Sequence, residues 1–447
     1  MAKTREAKRV IICGGGLVGS LNACFMAKRE FQVDLYERAA DVRTEQGEEG
    51  RSINLTLANR GREALKAVDL EQRVIATGIH VHGRMVHCKD GTAKPMPYGK
   101  HGQSIISLNR KRLNEEILSA AEEYSNVRTH FNHKLICCNL DKGEVTFLHE
   151  GRELKRRADV IIGNDGAYSA VRGMMMKHPD VNMDFQQEYI PHCYMQIDIP
   201  ANSHGEFAMA ENYIHVWPRE NLLLVALPNP DRSFTAALFM ECQLFHTLRD
   251  KDAIVPFFAN HLPDALALIG EDSLRKTFMN NIPSRLISIK CNPHHYSSKS
   301  VIMGDAAHAM TPFYGQGMNC GFEDCLVLSE LLDEYHNDFD KALPAYTERR
   351  YKDTHAIVDL AMQNYDVLRS SVNSPVFRFH KKVDRVLHSW FPSTWTDLYI
   401  AVAFSRKRYQ HCVEACSLQD RIVTGTCILL LFCIVICALF PVCAYCL

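Results

Sequence analysis

The amino-acid sequence predicts an α/β fold with four parts: a Rossmann-like dinucleotide-binding domain, a substrate domain built on a mixed antiparallel sheet, a helical C-terminal region and a single C-terminal transmembrane helix. Three observations predict it. A glycine-rich turn joins the first apolar strand to a helical pattern near the N-terminus. Apolar and polar residues alternate between Tyr189 and Met240, as expected of antiparallel strands. The segment from Ile422 to Leu447 contains 26 residues and no charged side chain.

The composition of the 447 residues is that of a globular protein, with 47% hydrophobic and 23% charged residues. Disorder, collagen and coiled coil are therefore excluded as descriptions of the whole chain. The 51 Lys and Arg residues are balanced by 52 Asp and Glu residues, which leaves a net charge of −1. Nucleic-acid binding has no electrostatic support, because it needs an excess of positive charge. The 17 cysteines show no zinc-ligand spacing, so no metal site is predicted and reduced thiols are expected.

The first glycine-rich turn has the surroundings of a dinucleotide-binding motif. A short apolar strand, Arg9–Cys13, leads into Gly14, Gly16 and Gly19, which satisfy the pattern GxGxxG. A helical pattern and a second apolar strand follow, and that strand ends at Glu37. The glycines let the backbone approach a pyrophosphate, and the acidic residue would accept hydrogen bonds from a ribose hydroxyl. The alternative is a glycine turn that closes an ordinary βα unit.

Two further strands end in small residues. One precedes Asp165 and Gly166, and the other precedes Gly304 and Asp305. After the last pair comes a glycine-flanked helix start at Gly317, whose bare N–H groups can face a ligand. Three such strand ends that converge on one extended ligand suit FAD better than a single NAD. The alternative for Asp305 is a helix N-cap, a common position for an aspartate after a strand.

These three motifs, in this order, resemble the single-component FAD-dependent aromatic hydroxylases, which share a para-hydroxybenzoate-hydroxylase-like fold. The resemblance implies that NADPH reduces FAD and that O2 then adds at flavin C4a to give a hydroperoxide. The distal oxygen of the hydroperoxide is transferred to the aromatic ring of the substrate. No catalytic side chain is implied, because the flavin carries the chemistry.

A second set of residues is similar to the members of this family that hydroxylate L-kynurenine. It comprises Gly50–Leu55, Arg84-Met85, Pro97–Gly99, Phe313–Asn319, Phe322–Cys325 and Leu398–Arg406. The resemblance implies conversion of L-kynurenine to 3-hydroxykynurenine, a step of tryptophan catabolism and NAD biosynthesis. Two alternatives remain open: a hydroxylase of the same class that acts on another aromatic acid, and a membrane-tethered flavoprotein without enzymatic activity.

The same resemblance implies roles for individual residues. Four residues are expected to bind the substrate: Arg84, Tyr98, Asn364 and Tyr399. Arg84 would pair with the carboxylate of the substrate, because a guanidinium suits bidentate pairing. The residues expected to bind the cofactor are Gly14, Gly16, Leu17, Val18, Gly19, Glu37, Arg38, Arg51, Arg110, Asp165, Gly304, Asp305, Gly317, Met318 and Asn319.

The apolar C-terminal segment is predicted to be a tail anchor. Its densest part, residues 423–440, would be about 27 Å long as a helix, which nearly spans a bilayer core. Basic residues at 406–408 and 421 precede it, so the N-terminal part is expected to face the cytosol. The family resemblance implies the outer mitochondrial membrane. The predicted parts are 1–75, 100–182 and 296–340 for FAD binding, 76–99 and 183–295 for the substrate sheet, 341–421 for the helical region and 422–447 for the anchor.

Overall fold

The computed structural model describes residues 7–44, 54–98, 102–248, 251–369 and 394–444, together with residues 383, 386–387 and 390–391. The chain divides into two compact units, Met1–Asn373 and Ser374–Leu447. The described strands are β1 (Arg9–Cys13), β2 (Gln32–Tyr36), β3 (Leu55–Leu57), β4 (Ile79–Val81), β5 (Gly83–His87), β6 (Ala93–Pro97), β7 (Ile105–Leu108), β8 (Val127–His130), β9 (Lys134–Asn139), β10 (Glu144–His149), β11 (Arg152–Arg157), β12 (Val160–Gly163), β13 (Asp184–Ile199), β14 (Tyr213–Arg219), β15 (Leu222–Pro228), β16 (Phe234–Glu241), β17 (Ser284–Asn292), β18 (His295–Tyr296) and β19 (Ser300–Ile302).

Helices surround the sheets of the first unit and account for the described elements of the second. A single 3₁₀ turn covers Pro312–Tyr314. The described α-helices are α1 (Leu17–Lys28), α2 (Asn59–Ala67), α3 (Glu71–Ile75), α4 (Arg110–Glu122), α5 (Ala170–Lys177), α6 (Cys242–Thr247), α7 (Lys251–His261), α8 (Pro263–Ile269), α9 (Glu271–Asn280), α10 (Asp305–His308), α11 (Gly317–Glu334), α12 (Phe339–Arg369), α13 (Leu398–Phe404) and α14 (Tyr409–Ala444).

A six-stranded sheet brings the three glycine-bearing turns together. Its strand order is β18-β19-β12-β1-β2-β8, and all neighbours are parallel except β18 and β19. Because β1, β12 and β19 are adjacent and parallel, their carboxyl ends lie at the same edge of the sheet. The predicted convergence of these three turns is confirmed. The strands are buried on both faces, as their apolar sequences predict.

A seven-stranded sheet has the order β17-β13-β16-β15-β14-β5-β6. Its strands are antiparallel except for the parallel pair β5 and β14, so the predicted mixed sheet is confirmed. The alternation seen in the sequence produces two different faces. One face packs its apolar side chains, including those of Met195, Leu224 and Leu238, against α6–α9. The opposite face carries Arg84, Phe239 and Tyr194, and it is called the inner face below.

Sequence reasoning assigned residues 183–295 to a sheet and missed the four helices α6–α9. These helices are short, and α7 contains Pro256, which weakens a helical pattern. The expectation of reduced thiols is wrong for one pair, because Cys193 and Cys242 form a disulfide. Cys193 pairs with Met240 near the end of β16, and α6 begins immediately afterwards, which brings the two Cα atoms to 4.9 Å.

The second unit is described mainly by α13 and α14. Among the described residues, no helix is both long enough and apolar enough to cross a membrane. The predicted anchor at 422–447 overlaps α14, and its last residues, 445–447, lie outside the described part of the chain.

Candidate active site

The first glycine turn has no room for a side chain at two of its three motif glycines, Gly14 and Gly19, whereas a Cβ at Gly16 would meet nothing within 4 Å. The backbone of Gly14 has φ +106°, and a Cβ there would lie 2.3 Å from the carbonyl oxygen of Asn164. A Cβ on Gly19 would lie 1.9 Å from the carbonyl oxygen of Gly14. Helix α1 begins at Leu17 and has no side-chain capping bond at Gly16. Its first N–H groups, including that of Val18, are therefore available to an anionic ligand.

The acidic residue after β2 lies next to this turn. The carboxylate of Glu37 accepts hydrogen bonds from the backbone N–H groups of Gly15, at 2.7 Å, and Ala39, at 2.9 Å. Arg38 and Arg110 are exposed, and Arg110 is the first residue of α4. Arg51 lies outside the described residues. Of these predicted cofactor ligands, Glu37 has direct contact with the glycine turn.

The second turn uses its polar groups within the protein. The carboxylate of Asp165 accepts hydrogen bonds from the hydroxyl of Ser169, at 2.6 Å, and from the N–H groups of Ala170 and Val171. Burial raises the pKa of Asp165, although these hydrogen bonds favour the ionised form. Ser169 is the N-cap residue of α5, and Asp165 supports it by accepting from the Ser169 hydroxyl and the first N–H groups of the helix. The contact of Asp165 with a cofactor stays a prediction.

The third turn presents one carboxylate to the surface. Gly304 has φ +59° and is the N-cap residue of α10, with no side-chain capping bond. Asp305 is the first residue of that helix and is exposed. The alternative in which Asp305 is the N-cap is therefore wrong. An exposed carboxylate at this sheet edge can accept hydrogen bonds from the hydroxyl groups of a ligand.

The start of α11 is hydrogen-bonded to β3 and to the residue that follows it. Gly317 and Met318 begin the helix, and Met318 is buried. The side chain of Asn319 accepts a hydrogen bond from the N–H of Ala58 at 2.8 Å, and it donates two bonds to the carbonyls of Thr56 and Gly315. Both of its N–H groups are used, so a cofactor contact of Asn319 does not involve its side-chain amide.

Two predicted substrate ligands lie on the same face of the β5–β6 hairpin. Gly83 pairs with Pro97, and the N–H of Tyr98 donates to the carbonyl of His82 at 2.8 Å. Because side chains alternate along a strand, Arg84 and Tyr98 point to one side as diagonal neighbours, about 7–8 Å apart between backbones. Tyr98 is buried and Arg84 is half-buried.

The inner face meets a row of four aromatic rings, called the aromatic row below: Tyr194, Phe239, Phe313 and Tyr365. Tyr194 pairs with Phe239, and these residues lie on the inner face. The ring of Phe239 lies 5.0 Å from that of Phe313 in the 3₁₀ turn, and Phe313 stacks on Tyr365 at 4.1 Å. The side-chain N–H of Asn364 donates to the carbonyl of Phe313 at 2.7 Å. The structure thus places Arg84 and Tyr98 on the inner face, and it links Asn364 of α12 to that face through Phe313. Tyr399 lies in α13, in the second unit.

A buried charge network under the third turn was missed by sequence reasoning. Asp324 and Glu323 of α11 accept hydrogen bonds from Arg350 of α12, at 2.8 Å and 2.9 Å. Glu323 also accepts a bond from Arg60 at 2.7 Å, and the ring of His308 lies 2.6 Å from Asp324. All five side chains are buried. The signal was present, because two adjacent acids in the apolar pattern of α11 require buried partners.

These features fit FAD. A Cβ at Gly14 or Gly19 would clash with the backbone of the turn, and α1 offers uncapped N–H groups for a pyrophosphate. Glu37 lies where an adenosine ribose would follow, and Asp305 offers an exposed carboxylate at the same sheet edge. The donors and acceptors match a dinucleotide with a polyol chain. The fold and this edge define a dinucleotide-binding flavoprotein of the α/β class.

Comparison with protein families agrees with this class. The model of the FAD binding domain family matches residues 7–361. The chain is 46% identical over 415 residues to kynurenine 3-monooxygenase of Sus scrofa, with 93% of this chain and 88% of that protein covered. It is 47% identical over 418 residues to kynurenine 3-monooxygenase of Anopheles gambiae, covering 93% and 86% of the two chains. The chain belongs to the kynurenine 3-monooxygenase family of FAD-dependent hydroxylases.

Solved structures show the same fold. The tetrameric form of 2-methyl-3-hydroxypyridine-5-carboxylic acid oxygenase aligns with a TM-score of 0.68 at 17% identity, covering 83% of this chain and 95% of that chain. PqsL, a probable FAD-dependent monooxygenase from Pseudomonas aeruginosa, aligns with a TM-score of 0.66 at 19% identity, covering 82% and 97%. Both alignments cover more than four-fifths of this chain, so the fold is shared over most of its length.

Proposed function

We propose that this protein is an FAD-dependent monooxygenase that converts L-kynurenine to 3-hydroxykynurenine with NADPH and O2. The observation that carries the proposal is the inner face of the seven-stranded sheet, where Arg84 and Tyr98 lie on the same side as the aromatic row. An amino-acid carboxylate and an aromatic ring are the two ends of L-kynurenine. The family and the fold support the cofactor and the class of reaction.

Arg84 binds the carboxylate of the substrate in this proposal. Its guanidinium can donate two parallel hydrogen bonds to a carboxylate, and half-burial strengthens that pair. Tyr98 contributes a phenol hydroxyl from a buried position beside it. Together they fix one end of the substrate, so that the ring has a defined position.

The aromatic row holds the other end of the substrate. Phe239 and Phe313 present apolar rings that pack against an aromatic substrate and exclude water. Asn364 fixes the backbone of the 3₁₀ turn through the carbonyl of Phe313. The glycine turn and Asp305 would hold FAD, which would supply the redox chemistry: NADPH would provide two electrons, one atom of O2 would enter the ring and the other would leave as water.

The test measures NADPH oxidation by the purified full-length protein with and without L-kynurenine, and follows the product by mass spectrometry. We expect strong stimulation and a product heavier by one oxygen. Decarboxylated kynurenine is the matched control, because it keeps the aromatic ring and lacks the group that Arg84 binds. Phenolic acids that are hydroxylated better than L-kynurenine would support a hydroxylase of another substrate class. FAD binding with no NADPH oxidation would support a flavoprotein without enzymatic activity.

We also propose that residues 422–447 attach the protein to a membrane, and that this is the outer mitochondrial membrane, with the first unit in the cytosol. The segment has no charged residue, and Ile428, Leu429, Leu430 and Phe432 of α14 are each about 60% exposed within the chain. Apolar side chains at this exposure favour a lipid environment. Alkaline extraction of fractionated cells tests it. We expect the natural chain in the mitochondrial pellet and the double variant Leu429→Asp, Leu430→Asp in the soluble fraction.

A further inference from the structure

The turn after β19 exposes one side chain and buries its neighbours. Asp305 is exposed, whereas residues 303–304 and 306–309 are buried. The turn is short, because α10 contains four residues. A helix this short has little stability of its own, so tertiary contacts determine its position.

The carboxylate of Asp324 joins both ends of this turn. Its Oδ2 atom accepts the N–H of Gly304 at 2.9 Å and lies 2.6 Å from Nε2 of His308. Gly304 precedes α10 and His308 ends it, so one oxygen atom fixes the helix at both ends. The other oxygen, Oδ1, accepts the Nε–H of Arg350 at 2.8 Å.

Neighbouring charges keep this carboxylate ionised. Burial alone would raise the pKa of Asp324, but the attraction of His308 and Arg350 outweighs burial and holds the pKa well below its usual range. Arg350 is itself shared with Glu323, which pairs with Arg60 of α2. The two carboxylates of α11 are thus neutralised by two guanidinium groups, one from α2 and one from α12.

The buried side chains around Asp324 are unsuited to a metal ion. Ligand atoms of His308, Cys320 and Asp324 lie within 4.8 Å of one another, which is a spacing that a metal ion could use. The guanidinium of Arg350, however, lies 3.2 Å from the sulfur of Cys320 and 2.8 Å from the carboxylate of Asp324. A cation already neutralises these groups, and it would repel a second one.

We propose that Asp324 is a positioning residue for FAD, and that it fixes the α10 turn so that the carboxylate of Asp305 meets the polyol chain of the cofactor. The inference rests on the proposed assignment of FAD to this sheet edge. Asp324 does not touch the cofactor in this proposal. It acts through Gly304 and His308, which determine where Asp305 lies.

The test is titration of the flavin-free protein with FAD, followed by quenching of flavin fluorescence, and it uses neither substrate nor NADPH. We expect Asp324→Asn to raise the Kd for FAD about tenfold or more, because the amide cannot accept from three donors. The matched control is Glu323→Gln, which removes the neighbouring buried charge and leaves both ends of the turn bonded. We expect its Kd to change by less than about twofold, although both variants lower the thermal stability of the flavin-free protein.

A double-mutant cycle separates positioning from general destabilisation. Asp305→Ala should also weaken FAD binding about tenfold. If Asp324 acts through Asp305, the change Asp324→Asn adds less than about threefold in the Asp305→Ala background. Fully additive effects would overturn the proposal, and so would equal losses of FAD affinity in Asp324→Asn and Glu323→Gln. An unchanged Kd for FAD in Asp305→Ala would also overturn the proposal, but it would not contradict the assignment of L-kynurenine as the substrate.

His308 provides a second route if Asp324→Asn does not fold. His308→Leu removes one end of the bonded turn and keeps the carboxylate, and we expect the Kd for FAD to rise about threefold or more. His308→Gln restores a donor at the position of Nε2 and should return the affinity to within about twofold of the natural protein. A Kd for His308→Leu equal to that of the natural protein would overturn the proposal.

Discussion

The two faces of the seven-stranded sheet serve different purposes. The outer face, represented by Met195, Leu224 and Leu238, is buried under α6–α9, and its side chains point away from the inner face. The inner face carries Arg84 and Phe239, and it continues into the aromatic rings at the 3₁₀ turn. Adjacent residues of one strand therefore belong to different faces, because side chains alternate along it.

This difference teaches that stability and substrate binding are separated by single positions in the sequence. On β16, Leu238 belongs to the apolar outer face, and its neighbour Phe239 belongs to the inner one. A shift of one residue in register would exchange the two roles. Substitutions on the two faces should accordingly change different measured quantities.

The largest effect is expected on the inner face. Arg84→Ala should weaken L-kynurenine binding by about 100-fold to 1,000-fold, because truncation of a half-buried charged partner costs about 3–4 kcal/mol. FAD binding and the melting temperature should change little. Substrate-induced changes in the flavin spectrum measure the affinity. The matched control is Lys89→Ala, which removes a positive charge from the exposed turn of the same hairpin. Loss of FAD together with substrate would contradict the assignment of Arg84.

The outer face should show the opposite pattern. Leu238 is 0% exposed, and Leu238→Ala should lower the free energy of unfolding by about 2–5 kcal/mol, since it leaves a cavity. The KM for substrate should stay within about twofold of the natural protein, because the side chain points away from the candidate site. Chemical denaturation and steady-state kinetics on the same preparation measure both. A large rise in KM without loss of stability would show that the two faces are not separate.

The sequence predicted the parts of the molecule that depend on neighbouring residues. Apolar strands ending at Gly14 and Gly304 are local patterns, and the convergence of their turns follows from the parallel order of the sheet. The alternation in β13–β16 also predicted a two-faced sheet. These features could be predicted without knowing which distant residues are in contact.

The rest depended on contacts between residues far apart in the chain. Arg60 meets Glu323 across a separation of 263 residues, and no local pattern pairs them. The side chain of Asn319 bonds the backbone of Thr56 and Ala58, a pairing that no local pattern indicates, and its predicted cofactor contact stays a prediction. The disulfide between Cys193 and Cys242 required the register of β13 and β16, which spacing alone does not determine.

The outer face should also make the protein sensitive to acid. Burial lowers the pKa of His215 from 6.5 to about 4, and its ring lies 2.9 Å from that of His87. The folded state therefore favours neutral His215, while the unfolded state binds a proton below about pH 6.5. Stability contributed by the neutral ring is present above that pH and is lost as the pH falls towards 4.

Between pH 7.5 and pH 5 this loss should be about 2 kcal/mol of unfolding free energy. Urea denaturation at the two pH values measures it. His215→Gln should reduce the pH-dependent loss by about 2 kcal/mol, and the remaining loss includes the contribution of buried His294, whose pKa burial lowers to about 3. The Kd for L-kynurenine, measured in the same pH range, should not follow the stability, because His215 lies on the outer face with Trp217. A pH dependence in His215→Gln as large as that of the natural protein would show that His215 does not contribute to the acid sensitivity.

The smallest effect sharpens the comparison at a single position. Phe239→Leu keeps an apolar side chain on the inner face and removes the ring that lies 5.0 Å from Phe313. An aromatic pair contributes about 1 kcal/mol beyond its buried area, so the KM for L-kynurenine should rise about fivefold, and stability should fall by less than about 1.5 kcal/mol. Leu238→Met is the matched control one residue away, with unchanged KM and a similar small loss of stability. Equal changes of KM in both variants would mean that substrate binding depends on the packing of the whole strand and not on its inner face alone.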